Sequence, residues 1–376
     1  MTTMTAATTA PQATPAELLD GWDHLELWVG NARAMAQLLI SGFGFRCTGY
    51  AGPETGIMGR ASYLLEQGEI RFLVTAGLGP DSEVTAHVRR HGDGVRSVAL
   101  ATRHVDAAFD FALAHGAQSA SAPADQDDEH GSVRRAALCS YGSTELCFVD
   151  RAGYGGNFGP GFAADGLPAA TTGSPVGLEA LDHVVGNVEQ GRLDDWVRWH
   201  EVVLGFTEMR HFDADQISTE FSALRSTVMW NGRQIVLPLN EPAEGRRKSQ
   251  IQEFLDAYTE PGVQHLALRT PDIVTAVDEL QSRGIRFLTP PPSYYDDARR
   301  RCGDIDVPWA ELARLGILVD VDAGGYLLQV FTETVGDRPT LFFEVIQRHG
   351  ATGFGDGNFK ALFEAIEREQ ARRGNL

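Results

Sequence analysis

Three residues of this chain have the types that hold a redox metal, and each stands alone in a strand-like run. His183 lies in Ala180-Leu-Asp-His-Val-Val-Gly186, His265 in Pro261-Gly-Val-Gln-His-Leu-Ala-Leu268, and Glu344 in Leu341-Phe-Phe-Glu-Val-Ile-Gln347. A single imidazole in an apolar strand is most often a hydrogen-bonded core residue, so neither histidine is informative by itself. The carboxylate is harder to dismiss. Among Phe342, Phe343, Val345 and Ile346, an ionised Glu344 is costly to bury unless a cation meets it. Two imidazoles and one carboxylate, each on its own strand, make the ligand set of non-haem Fe(II) centres with open coordination positions.

Positioning three ligands on three strands requires a sheet curved around them. Strand alternation turns His183 and His265 to one face. Asp182, Val184, Gln264 and Leu266 then point mostly away or along the rim. Gln264 is the residue that strand twist could return to the pocket edge.

The chain also repeats itself. Gly21-Trp-Asp-His-Leu-Glu-Leu-Trp-Val-Gly-Asn31 shares Asp-His and Gly-Asn with Leu178-Glu-Ala-Leu-Asp-His-Val-Val-Gly-Asn-Val188, and Gly42-Phe-Gly-Phe45 is echoed by Val203-Leu-Gly-Phe206. Gly94-Val-Arg-Ser-Val-Ala-Leu-Ala-Thr102 aligns with Gly262-Val-Gln-His-Leu-Ala-Leu-Arg-Thr270. In both halves a helical pattern follows and ends at a glycine, Gly116 or Gly284, suited to a helix C-terminus. Finally Glu145-Leu-Cys-Phe-Val-Asp-Arg151 aligns with Phe342-Phe-Glu-Val-Ile-Gln-Arg348. Each half divides again into two βαβββ units, which predicts an α+β protein of two cup-shaped sheets. In this register the first half keeps His24 opposite His183, but has Ser97 for His265 and Cys147 for Glu344. One histidine cannot hold the metal alone, so the first copy reads as structural. The expected boundaries are a tail over 1–15, a first domain over 16–152, a Gly/Pro-rich linker over 153–177 and a second domain over 178–376.

Composition is compatible. With 376 residues, 43% of them hydrophobic, the chain can build two cores. Its formal charge of −19 repels nucleic acid and anionic membrane surfaces, and no apolar run is long enough to span a bilayer. Cys47, Cys139, Cys147 and Cys302 show no CxxC spacing, as expected of reduced thiols in the cytoplasm. The Thr/Ala/Pro-rich start, Met1 to Pro11, lacks the features of a secretory signal and reads as disordered.

Several motifs in fixed order carry a family resemblance: Leu237-Pro-Leu-Asn-Glu-Pro242, Lys248-Ser-Gln-Ile251, Gly262-Val-Gln-His-Leu266, Tyr326-Leu-Leu-Gln-Val-Phe331, Asp337-Arg-Pro-Thr340, Phe342-Phe-Glu344 and Gly353-Phe-Gly-Asp-Gly-Asn-Phe359. The chain resembles the 4-hydroxyphenylpyruvate dioxygenase family over nearly its whole length. That resemblance implies duplicated vicinal-oxygen-chelate domains and Fe(II) held by His183, His265 and Glu344. It implies catalytic roles for Ser226, Asn240 and Gln250. A substrate cavity would be lined by Pro238, Gln264, Gln329, Phe331 and Phe342, with Phe354, Asn358 and Phe359 at the start of a C-terminal gating helix. It further implies conversion of 4-hydroxyphenylpyruvate and O2 to homogentisate and CO2 by oxidative decarboxylation, ring hydroxylation and side-chain migration, in a homodimer or homotetramer.

The residues themselves suit that role. Asn240 and the glutamines offer uncharged donors and acceptors for a phenol and a keto acid. Pro238 inside an apolar run predicts an edge strand or a bulge. Phe359, Leu362, Phe363 and Ile366 share one helix face, which ordinary packing explains from Leu362 onward. Gln216 and Gln281 fit no motif and read as loop-capping polar residues. Two other functions compete. A 4-hydroxymandelate synthase would use the same ligands and substrate, but that branch replaces the residues matching Pro238, Asn240 and Phe359, all kept here. A ligand-binding protein on the same scaffold would have no need of the three metal ligands.

Overall fold

A computed structural model describes residues 13–164, 173–213 and 223–374. The N-terminal run expected to be disordered falls mostly outside these residues, as do Gln216 and part of the expected linker.

The first half forms one eight-stranded sheet. Its strands are β1 (Gly21–Trp28), β2 (Arg46–Ala51), β3 (Arg60–Gln67), β4 (Ile70–Gly77), β5 (Gly94–Ala101), β6 (Gln118–Asp128), β7 (Gly131–Cys139) and β8 (Glu145–Asp150), in the spatial order β2-β3-β4-β1-β5-β8-β7-β6. The second half repeats it with β9 (Ala180–Asn187), β10 (Thr207–Phe212), β11 (Ala223–Trp230), β12 (Val236–Ala243), β13 (Gly262–Arg269), β14 (Leu318–Asp322), β15 (Gly325–Phe331) and β16 (Phe342–His349), in the order β10-β11-β12-β9-β13-β16-β15-β14. Adding eight to every strand number of the first order gives the second. The fold is thus the expected pair of vicinal-oxygen-chelate sheets, each a pair of βαβββ units, with a helix at the C-terminus.

Helices after the first strand of each unit cover the outer faces. Two of them, Ala32–Ser41 and Ile273–Ser282, start at side-chain caps: Asn31 accepts from the Ala34 amide and Asp272 from the Thr275 amide. Their apolar faces, Met35, Ala36, Leu39 and Ile40 in one and Ile273, Ala276, Val277 and Leu280 in the other, are buried against the sheets. The two halves share one continuous core, in which Phe343 of β16 meets Phe43 and Phe72 at ring-centre distances of 4.9 and 6.0 Å.

Parts of the expected linker are bound to the first sheet. Ala163 pairs with Tyr50 and Tyr154 with Gly131, so the segment drapes across that sheet. Pro238 lies not in an edge strand or a bulge but in β12, between β11 and β9, in unbroken register with β11. Its missing N–H is tolerated because the ladder to β9 covers only Leu239 and Asn240.

Two further helices bear on the cavity. Gln250–Tyr258 begins at Ser249, whose side chain accepts from the Gln252 amide, and so presents Gln250 from its first turn. The C-terminal helix Phe359–Arg373 packs across it, and near its end Arg373 donates to Glu253 at 2.7 Å.

Candidate metal centre

Register brings the three expected ligands together. Ala267 of β13 pairs with His183 on one side and with Glu344 on the other, while His265 pairs with Val185 and Phe342. The ligating atoms of His183, His265 and Glu344 all lie within 4.8 Å of one another, and all three residues are buried. Among the described residues this is the one group of at least three His, Cys, Asp or Glu side chains so placed.

Alternation alone misplaces the residues beside them. The β9–β13 ladder slips twice, leaving Asp182 and Gln264 each as an extra residue next to a histidine. Asp182, expected on the opposite face or rim, instead takes the Nδ1–H of His183 at 2.8 Å. Gln264 Oε1 lies 2.9 Å from His265 Nδ1 in the same way. Both imidazoles are thereby held in the tautomer that leaves Nε2 for a metal. Each Nε2 faces the same Glu344 oxygen, at 3.2 Å from His183 and 3.5 Å from His265. The donor set is thus two Nε2 lone pairs and a carboxylate converging in a buried site, which fits a divalent metal of the imidazole and carboxylate class.

The charges support one another. Burial raises the Glu344 carboxyl, but the histidines outweigh it and hold the group below its ordinary range. Burial lowers His183, yet the Glu344 and Asp182 carboxylates carry its pKa up to about 9. His265, with only an amide behind it, stays below the usual value because burial prevails. Behind Asp182 stands Arg348, whose Nε and Nη2 reach the two carboxylate oxygens at 2.9 and 2.8 Å.

The ligands open onto a cavity lined by Ser226, Pro238, Asn240, Gln250, Gln264, Phe331, Phe342, Phe354 and Phe359. Phe342 stacks on the His265 ring at 4.9 Å, with Phe331 edge-on at 5.9 Å. Phe354 meets His183 edge-on at 5.4 Å. Two expected residues do not line this cavity. Asn358 is fully buried beneath the start of the C-terminal helix, where Tyr294 donates to its Oδ1 at 2.6 Å. Gln329 lies under Gly355, where φ is +80° and a Cβ would collide with the glutamine amide. Conversely, Leu362 and Phe363, assigned to ordinary packing, line the cavity with Phe212, Leu224 and Val228. A helix face shows its apolar side, not whether that side meets a core or a chamber. Gln281 caps a loop, donating to the Leu315 carbonyl at 3.2 Å.

The second half is also where a known family matches: the Glyoxalase/Bleomycin resistance protein/Dioxygenase superfamily, over residues 180–309. The 4-hydroxyphenylpyruvate dioxygenase of Dictyostelium discoideum is 45% identical, covering 95% of this chain and 100% of that protein. That of Caenorhabditis elegans is 44% identical over 94% of this chain and 93% of its own. The chain belongs to the 4-hydroxyphenylpyruvate dioxygenase family. Among solved structures, a triple variant of 4-hydroxymandelate synthase from Streptomyces coelicolor is 34% identical and covers 94% of this chain and 99% of its own, with a TM-score of 0.84. Among the described residues of this family member, no helix is long and apolar enough to cross a membrane.

Proposed function

We propose that this protein is an Fe(II)-dependent 4-hydroxyphenylpyruvate dioxygenase that forms homogentisate and CO2 from 4-hydroxyphenylpyruvate and O2, as a step of tyrosine breakdown. The observation that carries the reading is the convergence of His183, His265 and Glu344 at one end of an aromatic cavity, in a chain of this family. The substrate itself supplies the electrons that reduce O2, from its 2-oxo acid on decarboxylation and from its ring on hydroxylation, so no separate co-substrate is required. Iron, when bound, supplies the activation of O2 and the redox chemistry.

The chain's own residues do the rest. His183, His265 and Glu344 hold the metal on one side and leave the cavity side open for the keto-carboxylate. Phe331, Phe342, Phe354 and Phe359 hold the ring between apolar faces. Ser226, Asn240 and Gln250 offer uncharged hydrogen bonds to the polar ends of the substrate. Gln264 serves the site chiefly through His265. Gln329 and Asn358 act from beneath, supporting the Gly355 turn and the helix start. Phe359, Leu362 and Phe363 roof the chamber, and movement of their helix admits substrate and keeps water out. The first domain, 16–152, braces the second, and the protein works in the cytoplasm as a dimer or tetramer.

Hydroxymandelate synthesis is the second reading, favoured by the structural likeness to that synthase. Against it stand Pro238, Asn240 and Phe359, all in the cavity wall. Anaerobic loading with Fe(II), followed by 4-hydroxyphenylpyruvate and O2, separates the two by chromatography of the product. Homogentisate is expected. Hydroxymandelate would transfer the chain to the synthase branch, and absence of O2 uptake by the iron-loaded protein would overturn the substrate.

A further inference from the structure

Arg348 has more contacts than a partner for Asp182 requires. Its Nη1 donates to the Gly353 carbonyl at 2.6 Å, and its guanidinium lies 5.4 Å from the centre of the Phe354 ring. One planar cation thus joins the carboxylate that orients an expected metal ligand to the glycine-flanked turn that carries Phe354 over the site.

Phe354 is also a partition. On its inner side is the cavity that holds His183 and Glu344. On its outer side is a cleft of about 400 Å³ between the two halves, lined by Trp22, Trp230, Arg233, Asp182 and Arg348. Phe354 is the residue that borders both spaces. Whatever holds its ring in place separates that cleft from the metal centre.

We infer that Arg348 is a positioning residue that couples occupation of the metal site to closure of the Phe354 turn. The inference rests on the function proposed above for the substrate, but not for the coupling itself. A metal on His183 Nε2 fixes the imidazole, Asp182 fixes its Nδ1, and Arg348 passes that constraint to Gly353 and Phe354. A lysine keeps the charge but carries its donors on one nitrogen, whereas Arg348 reaches the two carboxylate oxygens and the Gly353 carbonyl from three separate nitrogens.

The first half supplies the control. Arg151 makes the same contacts with Asp23, at 2.9 Å, and with the ring of Phe158, at 3.9 Å from its centre, in a copy with no comparable ligand group among the described residues. The experiment is amide hydrogen exchange over residues 353–357 in the full chain, metal-free and Zn(II)-loaded, for the wild type and for Arg348→Met, Arg348→Lys and Arg151→Met. Zn(II) should slow exchange there in the wild type and in Arg151→Met, while both Arg348 variants bind Zn(II) yet exchange rapidly with or without it. With Fe(II) and 4-hydroxyphenylpyruvate, the Arg348 variants should show KM raised about tenfold, as for loss of an outer-shell partner, and kcat changed much less. Metal-indifferent exchange in the wild type, or full protection in Arg348→Met, overturns the inference. So does equal loss of protection in Arg151→Met, which would mark the effect as general destabilisation. If the wild type forms no homogentisate, the proposed function fails, while the exchange result still decides the coupling.

Discussion

The two halves of the chain carry the same support and differ in what it supports. In the second half, Asp182 takes the Nδ1–H of His183, Arg348 clamps Asp182, and Phe354 sits edge-on to the imidazole. In the first, Asp23 does the same for His24 at 2.6 Å, Arg151 clamps Asp23, and Phe158 sits edge-on at 5.1 Å. The slip that makes Asp182 an extra residue recurs at Asp23. Yet Ala99 pairs His24 with Cys147, where Ala267 pairs His183 with Glu344. An oriented imidazole is therefore a property of the fold, and a metal centre needs two further ligands together with the residues that stand behind them.

The largest effect should come from the residue that most separates the halves. Glu344→Ala removes a ligand and leaves two imidazoles without their shared anion, so turnover should disappear and bound metal per chain should fall sharply. Cys147→Ala, at the matching position, should change kcat/KM by less than about twofold, as a substitution remote from the site. Product formation near normal in Glu344→Ala would break the comparison outright.

Next in size is the shared support. Asp182→Ala should weaken metal binding on the order of 10- to 100-fold, the usual range for an outer-shell partner of a metal-bound histidine. Asp23→Ala should leave metal affinity unchanged but lower stability by roughly 3 kcal/mol, because it strands Arg151 beside a buried histidine. Metal titration and denaturant melts of both variants separate the two outcomes.

How much of this was legible beforehand depends on the kind of signal. The duplication, the βαβββ element order and the three ligands could be read from aligned runs, since the runs recur and alternation is periodic. Asp182 and Gln264 could not be placed by alternation, because a bulge breaks the period at the very residues that orient the histidines. The repeat did hold a clue: Asp-His occurs in both halves, and Arg151 aligns with Arg348. The burial of Asn358 under Tyr294, and the cavity face of Leu362 and Phe363, depend on how distant helices pack. No local pattern encodes that.

A smaller effect follows from charge. Burial holds His24 below its ordinary pKa despite Asp23, whereas Glu344 and Asp182 overcome the same burial and carry His183 up to about 9. A histidine whose folded pKa is raised adds stability that is complete below its unfolded value of about 6.5 and is lost as pH climbs through the folded one. The metal-free protein should therefore lose on the order of 3 kcal/mol between about pH 6.5 and 9. Stabilisation by added Zn(II) should grow over the same window, because the metal displaces that proton. In Glu344→Gln the pH-dependent loss should shrink, and thermal melts of both proteins from pH 6 to 9.5 would show it.

The smallest effect is expected where the comparison invites the boldest repair. Ser97→His with Cys147→Glu would restore all three ligand types to the first half, beside a His24 already oriented. Metal binding should nonetheless stay near one ion per chain. Arg135 donates to Cys147 Sγ at 3.4 Å and is poised to capture a carboxylate placed there. The slip beside Ser97 leaves Arg96, not a glutamine, as the extra residue. A guanidinium has no acceptor for an imidazole Nδ1–H, and this one is already bound to Glu145 at 2.6 Å. A new histidine at position 97 would lack the partner that Gln264 gives His265, and the carboxylate would meet an arginine before a metal. A second tightly bound ion in this double variant would show that ligand identity alone separates the halves, and that the residues behind the ligands do not.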